Sequence, residues 1–256
     1  MRYVPLGTTG LQVSPLCLGA MMFGAWGNPD HEACVRIIHR ALDEGINFVD
    51  TANVYSAGES EEIVGKALKA SGSRRDEVVL ATKFHAPMGP GPNDRGNNRK
   101  HIFTAVEDSL RRLGTDYIDL YQAHRPDPAT DVADTLGALS DLVHQGKVRW
   151  VGSSTFPARE IVEALVPLAE KEGVPLPVLG VAWTIVHPSV TSAIIGPRTM
   201  EQLEGLLPAA DLDISDATLD AIDETVPPGE TVNNADLGFE NIWLRPERRR
   251  RSFTRT

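Results

Sequence analysis

The feature that most restricts what this chain can fold into is its alternation of short apolar segments with amphipathic helical ones, sustained from Leu16 to about Ser154. Leu16-Cys17-Leu18-Gly19 reads as a strand, and strands are also expected from Asn47, Val78, Tyr117 and Val148. A helical pattern lies in each gap. Asn28-Pro29 opens the first, which places Cys34, Ile38, Ala41 and Leu42 on one face and stops at Gly45. Ile63, Val64, Ala67 and Leu68 mark the second, after Ser60. Ile102, Val106, Leu110 and Leu113, closed by Gly114, mark the third, and Val132, Leu136, Leu139 and Val143 supply a fourth apolar face. Strands joined by whole helices cannot be hairpins, so the pattern predicts a parallel sheet with helical crossovers. A hairpin precedes it, Arg2 to Leu6 and Leu11 to Val13 about the turn Gly7-Thr8-Thr9-Gly10.

Beyond Ser154 the rhythm changes. Arg159 to Glu172 and Val178 to Val186 both read as helices with no strand between them, and the next strand is expected from Ser192. Helices over Thr199 to Leu207 and Ser215 to Thr225 follow, then Pro227-Pro228-Gly229 and an arginine-rich end from Arg245 to Arg255. Six strands of the barrel type result, where a closed barrel of alternating strands and helices has eight.

Both open and closed sheets of this kind bind ligands at the carboxyl ends of their strands. Asp50 ends one strand, Tyr55 follows it, Lys83 ends the next, and His124 follows Tyr121-Gln122-Ala123 on the one after. Singly, each has an ordinary structural reading as a turn cap, a solvated charge, a loop histidine or a packed ring. Jointly they define one rim. Trp26, Phe84 and His85 fall on the same rim as candidate walls of a substrate pocket, with core packing or a loop role as the plainer alternative. No Gly-x-Ser-x-Gly elbow supports a hydrolase, and no Gly-x-Gly-x-x-Gly turn supports a dinucleotide-binding sheet.

The formal net charge of −10 argues against broad attraction to nucleic acid or to an anionic membrane, and the single basic run, Arg248 to Arg251, reads as solvated. The two cysteines, Cys17 and Cys34, give neither a disulfide framework nor a metal-ligand spacing, so no metal is expected. With no leader-like start and no apolar run of membrane length, a cytoplasmic single domain spanning residues 1–256 is the expectation, its oligomeric state open.

The segments Gly45-Ile46-Asn47-Phe48-Val49-Asp50-Thr51-Ala52 with Tyr55, Leu80-Ala81-Thr82-Lys83, and Asp116 to His124 resemble the aldo-keto reductase family. Similarity continues in Gly152-Ser153-Ser154 and in Ile194-Ile195-Gly196-Pro197-Arg198-Thr199 with Gln202. The resemblance implies a TIM-type (β/α)8 barrel with an N-terminal β-hairpin, incomplete here because the sixth and seventh barrel strands have no counterpart between about Ala158 and Leu165. It implies a small-molecule carbonyl substrate, reduced to an alcohol with NADPH. Tyr55 would be the proton donor, Lys83 and Asp50 a charged pair behind it, and His124 the group that polarises or orients the carbonyl. Ser153 and Ser154 would hold the nicotinamide carboxamide, while Gly196, Arg198, Thr199 and Gln202 would form the phosphate end of the cofactor site, the arginine favouring NADPH over NADH. Leu206 stands where the family often has a polar residue near the adenine. A second reading is a non-enzymatic NADPH-binding regulatory module, as in the potassium-channel β-subunits that resemble the family.

Overall fold

The computed structural model describes residues 1–70, 75–154, 168–187 and 190–225. The chain divides into two compact units, Met1 with Leu16–Phe156 and Ile194–Leu203 in one, and Arg2–Pro15, Pro157–Ala193 and Glu204–Thr256 in the other.

The first unit is built on β3 (Leu16–Gly19), β4 (Phe48–Asp50), β5 (Val79–Phe84), β6 (Ile118–Ala123), β7 (Val148–Ser153) and β8 (Ala193–Ile195), in the sheet order β7-β6-β5-β4-β3-β8. The pairs from β3 to β7 are all parallel. All six expected strands are present, and among the described residues the sheet does not close into a barrel, β7 and β8 being its edges. The four helices between strands form where expected. The first, α1 (His31–Asp43), starts later than Asn28-Pro29: Asp30 is its cap, accepting from the Ala33 N–H at 3.0 Å. An Asp side chain bonds an orphan amide of the first turn, which an Asn two residues earlier cannot reach. α2 (Glu59–Ala70), α3 (Arg99–Leu113) and α4 (Val132–His144) follow. Gly114, at φ 64°, supplies the left-handed residue that ends α3.

One helical face differs from the sequence expectation. The buried side of α4 is Thr135, Ala138, Leu139 and Leu142, whereas Val132, Leu136 and Val143 are exposed. The Thr135 hydroxyl donates to the Asn97 carbonyl at 3.0 Å, and small Ala138 allows close approach, so a polar anchor and a short side chain set the helix's rotation against its apolar stripe.

The second unit contains the hairpin β1 (Val4–Pro5) with β2 (Gln12–Val13), paired antiparallel, and helical residues 168–172 (α5), α6 (Leu176–Val186) and α8 (Asp216–Thr225). Between α6 and α8 come α7 (Met200–Leu206), which begins in the first unit, and the 3-10 turn Leu207–Ala210. Its core joins Ala169, Val178, Leu179, Ala182, Ala209, Ile214 and Leu219. Of the helix expected over Arg159 to Glu172, residues 168–172 are helical, while its residues 159–167, Pro227-Pro228-Gly229 and the arginine-rich end fall outside the described residues. Among the described residues no helix is long and apolar enough to cross a membrane.

Candidate active site

The parallel register turns residues distant in sequence into neighbours. Asp50 lies opposite Ala81, Lys83 opposite Gln122, and Gln122 in turn opposite Gly152. Because side chains alternate along a strand, Ala81 and Lys83 face the same way, and so do Gln122 and the residue two beyond it, His124. β5 is buried along all six residues, as a central parallel strand must be when both faces are covered.

On this lattice Lys83 is the hub. Its Nζ donates to Asp50 Oδ2, to the Thr51 carbonyl at 2.9 Å and to the Tyr55 hydroxyl at 3.4 Å. Lys83 and Asp50 are both 4% exposed, so the pair is removed from solvent and each charge depends on the other. Burial raises the Asp50 carboxyl above its ordinary value, and the Lys83 ammonium opposes that rise. The Tyr55 ring meets the His124 ring edge to face, centroids 5.5 Å apart at 81°. His124 is pushed down to about 4, first by desolvation and then by the Lys83, Arg125 and His85 charges. It is neutral at pH 7, able to donate from one ring nitrogen.

The loop carrying Tyr55 is held in an unusual shape. Ser56 and Ala57 take φ 49° and 57°, a left-handed pair without glycine. Such residues cost about 1–3 kcal/mol each and persist where their surroundings over-determine them. Here the Ser56 hydroxyl donates to the Phe23 carbonyl at 3.3 Å and accepts from the Trp26 N–H at 3.1 Å, while Glu59 accepts from the Ala25 N–H at 2.7 Å. The same bonds place Trp26, 53% exposed, with its ring centroid 6.2 Å from that of Tyr55.

The remaining expected positions separate. His85 has φ 139° and its Nδ1 lies 3.0 Å from Asn97 Oδ1, which fixes the ring beside the rim. Phe84 turns away: it is fully buried with its ring 4.9 Å from Tyr121, so it serves the core and is not a pocket wall. A strand residue next to Lys83 points to the opposite face, which the alternation already dictates. Ser153 lies opposite Ala123, and the Ser154 N–H donates to the Ala123 carbonyl at 3.0 Å, bringing both serines to the strand end beside His124. Farther along, Gln202 accepts from the Arg198 N–H at 2.7 Å, and the Thr199 hydroxyl accepts from the Gln202 N–H at 3.2 Å. Those two amides serve the cap of α7. Gly196 and the Arg198 side chain are exposed.

One participant was not anticipated. Gln122 Nε2 donates to Asp50 Oδ1 at 3.0 Å, occupying the carboxylate oxygen that Lys83 does not take. Its position two residues before His124 on a strand is the signal that points to it.

The profile of the Aldo/keto reductase family matches residues 15–165 and 158–227, and the chain belongs to that family. It is 42% identical over 172 residues to the Aldo-keto reductase YhdN of Bacillus subtilis (strain 168), covering 66% of this chain and 52% of that one. It is 45% identical over 172 residues to the Uncharacterized oxidoreductase YrpG of the same organism, covering 64% and 52%. A Probable voltage-gated potassium channel subunit beta from Arabidopsis thaliana is 41% identical over 165 residues, 64% of this chain and 49% of its own. The chain thus spans about half the length of the curated relatives it matches.

Proposed function

We propose that this chain reduces aldehydes or ketones to alcohols with NADPH, Tyr55 delivering the proton. The observation that carries this is the buried chain Asp50–Lys83–Tyr55 with neutral His124 set against the tyrosine ring. The donor set suits a nicotinamide cofactor: Ser153 and Ser154, at the strand end next to that of His124, match a carboxamide, and the exposed Arg198 guanidinium matches a phosphate. When bound, that cofactor supplies the hydride, which no side chain can.

The chain's own residues do the rest. Tyr55 and His124 bracket the place where a carbonyl oxygen can accept two hydrogen bonds, concentrating positive dipoles where negative charge develops. The Lys83 ammonium, 3.4 Å from the Tyr55 hydroxyl, lies where negative charge develops on the phenol oxygen as the proton leaves. Asp50 and the Thr51 carbonyl hold that ammonium in place in a dry setting. Trp26 offers an apolar wall and His85 a polar one. In this reading the chain acts in the cytoplasm on small-molecule partners and not on nucleic acid.

The test follows NADPH fluorescence on binding and then absorbance loss with an aromatic aldehyde, for the native chain and for Tyr55→Phe. Turnover by the native chain and a loss of about a hundredfold or more in Tyr55→Phe are expected. Binding without turnover supports instead a regulatory module, a reading at which similarity to a channel β-subunit hints. Turnover unchanged in Tyr55→Phe removes the tyrosine from its role.

A further inference from the structure

Asp50 has two carboxylate oxygens, and the Lys83 ammonium takes only one. The other accepts from Gln122 Nε2 at 3.0 Å, across 72 positions of sequence, from a strand two removed in the sheet. Three strand neighbours in one row, Lys83, Gln122 and Gly152, bring this about. Gln122 has Lys83 on one side and, on the other, a residue without a side chain. That glycine is not needed for backbone conformation, since its φ is not among the positive ones. It is needed for space: a Cβ at Gly152 would stand 3.2 Å from Gln122 Cγ and 3.3 Å from Leu120 Cδ1. Either distance is shorter than comfortable contact, so the neighbours would have to give way.

We propose that Gln122 is a positioning residue of the acid–base site, clamping one oxygen of Asp50 so that the other faces Lys83, and that Gly152 leaves the room in which Gln122 lies. The inference rests on the reading of Asp50, Lys83 and Tyr55 given above. Its physical basis is the strength of a hydrogen bond to a buried anion together with its direction. A carboxylate held at one oxygen pivots, and its distance to the ammonium varies with the pivot. Held at both, it presents a fixed charge. The amide bond also favours the ionised form against the burial that opposes it, so it helps keep the ion pair ionised.

The experiment is a carbon-13 titration of the Asp50 carboxyl by NMR in the cofactor-free full chain, with the amide spectrum as the check on folding, for the native protein, Gln122→Leu, Gln122→Glu and Gly152→Ala. The Asp50 midpoint is expected to move upward in Gln122→Leu. It should move further in Gln122→Glu, where a second carboxylate faces the first, and less, in the same direction, in Gly152→Ala. In an aldehyde reduction assay, Gln122→Leu should lower kcat about ten- to a hundredfold with substrate KM little changed, and shift the pH profile. An unmoved Asp50 midpoint in folded Gln122→Leu overturns the proposal. If that variant does not fold, an unmoved midpoint in Gly152→Ala does so. Because the titration needs no turnover, a moved midpoint in a chain that reduces nothing leaves the clamp standing and removes only the proposed activity.

Discussion

β5 and β7 are both six-residue parallel strands of one sheet, yet they are different environments. β5 has a partner on each side and is buried from end to end; β7 pairs only with β6 among the described residues, and Arg149, Val151 and Ser153 are exposed. Lys83 stands on the first and the serines proposed for the carboxamide on the second. The contrast teaches that the two halves of the site are not equally supported. The half proposed for acid–base work is fixed by neighbours on every side, while the half proposed for the cofactor sits where the sheet stops.

The widest separation between these regions should come from their charges. Glu61, fully buried under α3, accepts from Thr82 of β5 at 2.6 Å and from Arg112 at 2.7 Å. Arg112→Ala would strand that carboxylate and is expected to cost about 3–5 kcal/mol. Lys147→Ala, which breaks the surface pair with Glu107 beside β7, should cost no more than about 1 kcal/mol. Urea unfolding of the two variants measures both, and equal costs would erase the contrast.

Apolar truncations give the next largest difference. Leu80→Ala, at a side chain with no exposure, should destabilise by about 2–5 kcal/mol. Val151→Ala, at a side chain 43% exposed, should stay within about 0.5–1 kcal/mol. Thermal or denaturant midpoints check the pair.

A third effect is acid sensitivity at the rim between the strands. A histidine held near 4 in the fold and near 6.5 when unfolded binds more protons in the unfolded chain across that window. His124 therefore contributes stability that is full above about pH 6.5, is lost as pH falls toward 4, and changes no further below it. The His124 ring proton should titrate near 4 by NMR, and His124→Asn should lack that part of the acid loss.

Much of the first unit was legible because strand–helix alternation leaves a periodic trace. Leu16, Asn47, Val78, Tyr117, Val148 and Ser192 each mark a strand within two residues of its start. The residues proposed for acid–base work stood out for a related reason: polar residues at the ends of apolar strands are conspicuous, and Asp50, Lys83 and His124 are such residues. Three things were read otherwise or not at all. The rotation of α4 depends on one hydroxyl reaching Asn97, and apolar periodicity ignores hydroxyls. Phe84 followed the alternation of its strand and not its nearness to Lys83. The Gln122 bond to Asp50 requires the register of three strands, which local sequence does not encode.

The turn after Tyr55 has a consequence for how this protein can change. Ser56 and Ala57 wind against the hand that L-amino acids prefer, and they are kept there by bonds from Ser56 and Glu59 to Phe23, Ala25 and Trp26 in another part of the chain. Glycine at either position would relax the backbone, yet at 56 it would also delete the hydroxyl tether. The aim of the tyrosine is thus leased from distant residues, and drift in the Phe23–Trp26 loop can detune the site while every residue of the acid–base set stays in place.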